Sequence, residues 1–484
     1  MTPTPRTPLP ARRGRTLTLV AAGLLACWSL ASIAQTAPAI PPSWAQGRVA
    51  GQEALNLSPH PPGMTALDPS DIPVASLKVP AGMKVELWAS GAPNARSMVF
   101  GSKGTLFVGT RFVGNVYAIV DRNGKREVKV LAKGLYRPNG VAFKDGALYV
   151  AELSRILRYD DIENHLDNPP APVVVYDGLP KDEAHGWKYL TLGPDGHLYF
   201  QIGSPGNVVM PPYTHATLNR LNLKTNQVEI VAMGVRNSVG MAFHPVTQEL
   251  WFTNNARDWV TDDLPNDTLQ RVTHKGAHFG FPFCHQGDLP DPEFGKGRSC
   301  DQFDQPAAKL GPHVAALGMR FYTGSMFPAE YRNNVLIAEH GSWNRTKKTG
   351  FQVVSVAVDG AGKASAPQPF ITGWLKGDEF WGRPADVQQM PDGSLLVSDD
   401  VAGAIFRVSA SRGACGLLDR RPGCWALACC WRWPGRRPAP RRPMRWRVRP
   451  SRPPAAPAMG PRGCRRRWPS PRWRASRRCR WSTS

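Results

Sequence analysis

The chain has 484 residues, of which 60 are Lys or Arg and 37 are Asp or Glu, for a formal charge of +23. That surplus sits at the ends: 412–484 holds 21 Arg against one acid, Asp419, and 1–34 holds four Arg and none, leaving 35 basic against 36 acidic residues between. A body so balanced excludes a protein built throughout to bind nucleic acid, and about 375 residues exceed one simple core unless a repeat architecture organises them.

Arg6, Arg12, Arg13 and Arg15 precede an apolar run from Leu17 to Ala34 that is too short and too rich in small residues for a membrane span. Ser32-Ile33-Ala34 places small side chains ahead of a cut before Gln35. Residues 1–34 therefore read as a secretory signal peptide, which predicts export to the periplasm. Arg12-Arg13 hints at twin-arginine export, and Leu24-Leu25-Ala26-Cys27 resembles a lipoprotein box that would leave a lipid-anchored Cys27. A free periplasmic protein ranks above the lipoprotein, and an uncleaved anchor ranks lower still. Residues 35–74 read as an extended N-terminal segment.

From 75 to 411 one phrase recurs: a turn with Gly, Asp or Asn, then a short apolar run. It appears at Leu106-Phe107-Val108, Leu148-Tyr149-Val150, Leu198-Tyr199-Phe200, Leu250-Trp251-Phe252, Val335-Leu336-Ile337 and Leu395-Leu396-Val397. Most copies have an upstream partner such as Gly140-Val141-Ala142-Phe143, and a downstream one such as Ile156-Leu157-Arg158-Tyr159. One small sheet cannot bury both of its faces, whereas sheets stacked radially can. Six units predict an all-β, six-bladed β-propeller. The widest gap, before the fifth copy, predicts a long insertion over roughly 255–315. Cys284 and Cys300 both fall in it, and in an oxidising compartment a disulfide between them would clamp it; two free thiols are the alternative.

Four polar loop segments stand at blade boundaries, where a propeller's axial mouth is built. His185, in Glu183-Ala184-His185-Gly186-Trp187-Lys188, suits a general base, and a structural loop histidine suits the same spacing. Arg236-Asn237 offers a cation and an amide to an anionic or carbonyl-bearing ligand, or forms a solvated turn. Asn254, Asn255, Asp258, Asp262 and Asp263 supply oxygen for Ca²⁺, although not at the spacing of the twelve-residue EF-hand loop. Glu339-His340-Gly341-Ser342-Trp343-Asn344-Arg345 and Trp381-Gly382-Arg383-Pro384 could hold carboxylates or stack a planar ring, and Trp343 and Trp381 could equally pack between blades.

Beyond Arg412 no strand or helix period survives, and Arg, Pro, Trp and Cys dominate. The tail contains no His, which removes a Cys-x-x-Cys-His haem domain as the sequence stands. An arginine-rich nucleic-acid arm fits poorly with export and with six cysteines. A shifted reading frame in a GC-rich gene yields this vocabulary and is the expectation here, with disorder as its physical consequence.

In order along the chain, His185 followed by Leu190-Thr191-Leu192-Gly193-Pro194-Asp195-Gly196, Arg236-Asn237 running into Gly240-Met241-Ala242-Phe243-His244-Pro245, Gly276-Ala277-His278-Phe279-Gly280-Phe281-Pro282, and Arg383 before Pro391-Asp392-Gly393 resemble the soluble pyrroloquinoline quinone (PQQ)-dependent sugar dehydrogenases, most closely their sorbosone dehydrogenase-like branch. The resemblance covers 75–411. It implies PQQ over the axial channel with Ca²⁺ bridging it to protein, oxidation of a sugar or sugar aldehyde, and electrons leaving to a cytochrome c or other acceptor. It makes His185 the general base, sets Arg236 and Asn237 on the quinone oxygens, pairs Arg383 with a cofactor carboxylate and adds Asn139 to the cofactor set. Ca²⁺ would rest on backbone carbonyls near Ala256 and Arg257, where the family has Gly-Pro. The family's Asp before the histidine is Ala184 here, a second cofactor Arg is Ala385, and its Lys has no clear match, so that His340, Asn344 or Arg345 would substitute. A Ca²⁺-dependent lactonase and a non-catalytic binding propeller are the competing readings.

Overall fold

The computed structural model describes residues 47–48 and 57–411. The expected signal peptide, much of the lead-in and the basic tail lie outside the described residues. Every helix among them is a three-residue 3₁₀ turn, and the rest of the regular structure is strand.

Six antiparallel sheets follow one another in chain order, each begun by a short inner strand. Blade 1 comprises Ala95–Phe100, Leu106–Thr110, Val116–Arg122 and Lys125–Ala132. Blade 2 comprises Gly140–Lys144, Ala147–Ala151, Ile156–Tyr159 and Val173–Tyr176. Blade 3 runs Thr191–Leu192, Leu198–Ile202, Thr217–Leu221 and Val228–Met233. Blade 4 uses Met241–Phe243, Leu250–Asn254, Asn266–Arg271 and Ala308–Pro312. Blade 5 uses Ala316–Phe321, Val335–Glu339, Gln352–Val356 and Gln368–Ile371. Blade 6 has Pro384–Gln389, Leu395–Asp399 and Ala404–Ala410, and borrows its outer strand, Met83–Ser90, from the front of the propeller, paired Met83 to Ala410 through Ser90 to Ala404. That exchange ties the two ends of the ring together and removes an open edge.

The second strand of each blade is the repeated phrase, and in all six it is buried on both faces. The reason is visible in the packing, because each junction between neighbouring blades holds its own apolar cluster. Phe107 and Val116 meet Val141 and Leu148 between blades 1 and 2, and Leu218 and Ala232 meet Met241 and Phe252 between blades 3 and 4. Trp251 packs edge-on against Phe321, with ring centroids 5.7 Å apart, between blades 4 and 5.

The insertion is shorter than expected. Asn266–Arg271 and Ala308–Pro312 are the third and fourth strands of blade 4, because their alternating residues pair in an antiparallel ladder. The excursion proper runs from 272 to 307. Within it Ala277–His278 adds a parallel strand to blade 3, Cys284–His285 pairs with Leu289–Pro290, and Cys284 is bonded to Cys300.

Candidate active site

Antiparallel pairing puts the start of each blade's first strand and the end of its second at the same end of the ring. The loops there converge on one cavity of about 370 Å³. Blade 1 supplies Arg96 and Arg111, blade 3 His185 and Asn207, blade 4 Arg236, Asn237 and Asp258, blade 5 His340 and Asn344, and blade 6 Arg383.

His185 sits in a left-handed backbone conformation, φ 49°, in the loop before blade 3. Gly203 makes room for it, since a Cβ there would fall 2.5 Å from that of His185. Its Nδ1 lies 2.8 Å from the carbonyl of Ser204. A carbonyl only accepts, so Nδ1 carries the proton and Nε2 is left as a lone pair. Burial, then the nearby Arg236 charge, hold the imidazole well below its ordinary value, so it is neutral at pH 7. Behind it Lys188 is buried, donates Nζ to the Gly186 carbonyl of the same loop, and is lowered by burial to about 7.

Arg236 is held from every side. Its Nε donates to the Asn207 carbonyl at 2.8 Å, and one terminal nitrogen donates to Asn207 Oδ1 at 2.9 Å and Asp258 Oδ2 at 2.8 Å. The other reaches the Asn255 carbonyl at 3.3 Å, which leaves one N–H uncommitted. Beside it Asn237 Oδ1 is buried without a hydrogen-bond partner among the described residues. Across the cavity Arg383 donates Nε to the His340 carbonyl at 2.8 Å, and its pKa is lowered by burial to about 10. His340 Nε2 bonds Asp400 Oδ1 at 2.8 Å. Burial and Arg383 outweigh that carboxylate and bring the imidazole down to about 3. The other oxygen of Asp400 takes Arg96 at 2.6 Å.

Of the cavity's five guanidinium groups, Arg96, Arg137 and Arg236 have carboxylate partners in Asp400, Glu183 and Asp258. Arg111 and Arg383 have no carboxylate within salt-bridge distance among the described residues. Arg111 lies 3.4 Å over the Trp187 ring, and among the described residues its buried Nε has no partner. Its pKa is depressed by burial and then by Arg96 and Arg137. Two cations without carboxylate partners among the described residues and a flat indole fit a planar polyanion.

The structure thus brings His185, Arg236, Asn237, His340, Arg383 and Ala256 to one cavity. Asn139 does not line it. Buried behind the wall, Asn139 accepts from Arg96 Nε at 2.9 Å and donates to the Lys188 carbonyl at 2.7 Å, so it positions rather than contacts. Arg345 also stays out, because the Asp262 carbonyl and Asp263 hold it on the rim. The Arg257 side chain turns into the insertion, where Asp291 at 2.7 Å and Glu293 at 3.0 Å pair with it.

For a cation near Ala256 and Arg257 the side-chain fit is poor. Asp267 spends its oxygens on the amides of Ala256, Ala315 and Ala316, and Asp258 spends its own on Arg236 and Asn344. Among the described residues no three His, Cys, Asp or Glu side chains group as metal ligands. Among the described residues, main-chain oxygens and the Asn237 side-chain oxygen remain there to hold Ca²⁺.

Sequence reasoning missed Arg96, Arg111 and Asp400, and it read Asp258 as a Ca²⁺ oxygen where the structure pairs it with Arg236 and Asn344. Arg111 follows the second strand of blade 1 just as Asn255 follows that of blade 4, so blade register would have found it.

A six-bladed ring with a cationic axial cavity is the class that fold and site define. The TrAA12-like family model matches residues 77–411, and the chain belongs to that family. It is 34% identical over 349 residues to an uncharacterized protein of Borreliella burgdorferi, covering 69% of this chain and 91% of that one. Two solved structures share the fold. The holo pyranose dehydrogenase PQQ domain of Coprinopsis cinerea is 18% identical, with a TM-score of 0.60 over 69% of this chain and 97% of that one. The calcium structure of the Trichoderma reesei carbohydrate-active enzyme of family AA12 is 21% identical, with a TM-score of 0.60 over 74% of this chain and all of the other. Among the described residues no helix is long and apolar enough to cross a membrane.

Proposed function

We propose that the protein is a PQQ-dependent oxidoreductase that oxidises a sugar or sugar aldehyde, of the sorbosone or aldose type, after export to the periplasm. The observation that carries the reading is the pair of guanidinium groups without a carboxylate partner among the described residues, half-buried Arg111 and buried Arg383, in the same cavity as a neutral imidazole. The matched family and the PQQ-binding domain with the same fold support it.

Arg111, Arg383 and the Asn237 amide would hold PQQ, with Trp187 behind Arg111. Bound there, PQQ supplies an acceptor for the hydride of an alcohol or hydrated aldehyde. The chain's own contribution is proton transfer and positioning. His185 Nε2 accepts the substrate hydroxyl proton, and the Ser204 carbonyl, by fixing Nδ1–H, keeps that lone pair available. The resulting imidazolium sits beside Arg236, so it is held weakly and passes its proton on to solvent. Arg236, neutralised by Asp258 and locked by Asn207, presents one N–H to charge developing on an oxygen. Ca²⁺ on the carbonyls of Ala256 and Arg257 belongs to this proposal, and no step above depends on it. Electrons would leave to a cytochrome c or another acceptor.

A lactonase needs carboxylates converging on an open metal position, and the carboxylates here are spent on guanidinium, imidazole and amide partners. The test is dye reduction by the full chain given PQQ and Ca²⁺ over a panel of monosaccharides and sugar aldehydes. Reduction supports the reading, and its absence together with no PQQ binding discards it.

A further inference from the structure

The segment ahead of the family-matched region reaches the cavity. Pro59 and His60 line it, although the matched region begins only at residue 77. The strap is fixed by close backbone contact. A Cβ on Gly63 would fall 2.5 Å from the Asp400 carbonyl oxygen, so only glycine lets the two segments meet there. Four residues on, the Leu67 amide donates to the Ala402 carbonyl at 3.0 Å. The loop it grips is the one whose Asp400 holds His340 and Arg96 in the cavity wall.

His60 is half-buried. Its ring lies 4.7 Å from that of Phe380, and Nε2 is 3.3 Å from the Ser342 carbonyl. Since a carbonyl only accepts, Nε2 is the protonated nitrogen and Nδ1 is a lone-pair acceptor. Burial and the charges of Arg383 and Lys348 hold the group at about 4, so it keeps that form at neutral pH. The other cavity side chains reaching in are mostly guanidinium donors, which suit anionic oxygen. An imidazole acceptor suits the opposite partner, a hydroxyl that donates.

We infer that His60, delivered by this N-terminal strap, is a substrate-binding residue that accepts a hydrogen bond from a hydroxyl of a neutral sugar and so selects neutral sugars over their uronates. This rests on the proposed sugar oxidation. A carboxylate cannot donate to Nδ1 and would face its lone pair, whereas a sugar hydroxyl satisfies it.

The test uses the full chain loaded with PQQ, the neutral monosaccharide it turns over fastest, and the matching uronate. His60→Leu keeps apolar contact with Phe380 and deletes the acceptor. It is expected to raise KM for the neutral sugar about tenfold, to leave kcat and PQQ affinity near wild type, and to narrow the preference over the uronate. His60→Asn, whose amide can both donate to Ser342 and accept from a hydroxyl, is expected to recover most of that loss. An unchanged KM in His60→Leu overturns the inference. So does an equal rise in His60→Asn with weakened PQQ binding, which marks a purely structural strap. If wild type turns over no sugar, the proposed function itself fails, an outcome distinct from an insensitive KM.

Discussion

Two regions of this molecule bury arginine, and they treat it differently. In the insertion the Arg257 side chain is fully buried and meets Asp291 at 2.7 Å and Glu293 at 3.0 Å, while Asp291 also takes His285 at 2.7 Å. Its charge is cancelled within the fold. In the axial cavity half-buried Arg111 and buried Arg383 have an indole and carbonyls for company, but among the described residues no carboxylate in salt-bridge distance. Burying an unpaired charge costs several kcal/mol, so a fold keeps one where something else will neutralise it. The first arrangement builds structure and the second waits for an anion. Charge compensation, rather than residue type, separates the two.

The largest effect expected is on turnover, since the His185 Nε2 lone pair takes the substrate's proton in the proposed reaction. His185→Ala should lower kcat by about 10²–10⁴ while PQQ still binds, measured by steady-state dye reduction and by cofactor titration. Because the imidazole lies well below its ordinary value, kcat/KM should hold level across neutral pH and fall only in acid, where Nε2 gains its proton. A midpoint near the ordinary histidine value would contradict the burial argument.

The comparison itself is broken or sharpened by paired substitutions. Arg257→Ala takes from buried Asp291 its guanidinium, leaving the His285 imidazole and two backbone amides, and should cost about 3–5 kcal/mol in urea unfolding. Arg111→Met should cost nothing or stabilise the protein slightly, yet weaken PQQ binding at least about tenfold. Equal losses of stability at both sites would erase the distinction. Next in size, Cys284→Ser with Cys300→Ser opens a closed loop spanning 16 residues and should cost about 3 kcal/mol, read by urea unfolding without reductant.

The smallest effect is a slope. Glu339 ends the second strand of blade 5, fully buried, with Oε1 unpartnered, and burial raises it from 4.5 to about 8. The folded chain therefore keeps a proton that the unfolded chain releases above 4.5, and stability falls as pH rises between those values. Glu339→Gln should flatten that fall in a series of thermal melts.

The ring was legible because its signal is local and repeated. Each second strand is a short apolar run after a turn, as at Leu198-Tyr199-Phe200, and burial on both faces demands that composition. Closure of blade 6 by Met83–Ser90 was not legible, since the partner strand lies more than 300 residues away. Loops beside inner strands pointed to His185, Arg236 and Arg383, which share a cavity. Arg345 carries the same chemistry yet lies on the rim, and Asn139 lies behind the wall, because neighbouring acids and carbonyls set their direction. Arg111 follows the second strand of blade 1, so blade register places it at the mouth, but the Trp187 ring beneath it appears only in the fold.

The central claim is that the cavity's two uncompensated guanidinium groups await a planar polyanion. Titrating the full chain with PQQ in Ca²⁺ buffer, while following tryptophan fluorescence, tests it most directly. Saturable one-to-one binding that Arg111→Met and Arg383→Met each weaken, and that the double variant abolishes, is the predicted result. Binding that ignores both substitutions, or no binding by the unaltered protein, would contradict it.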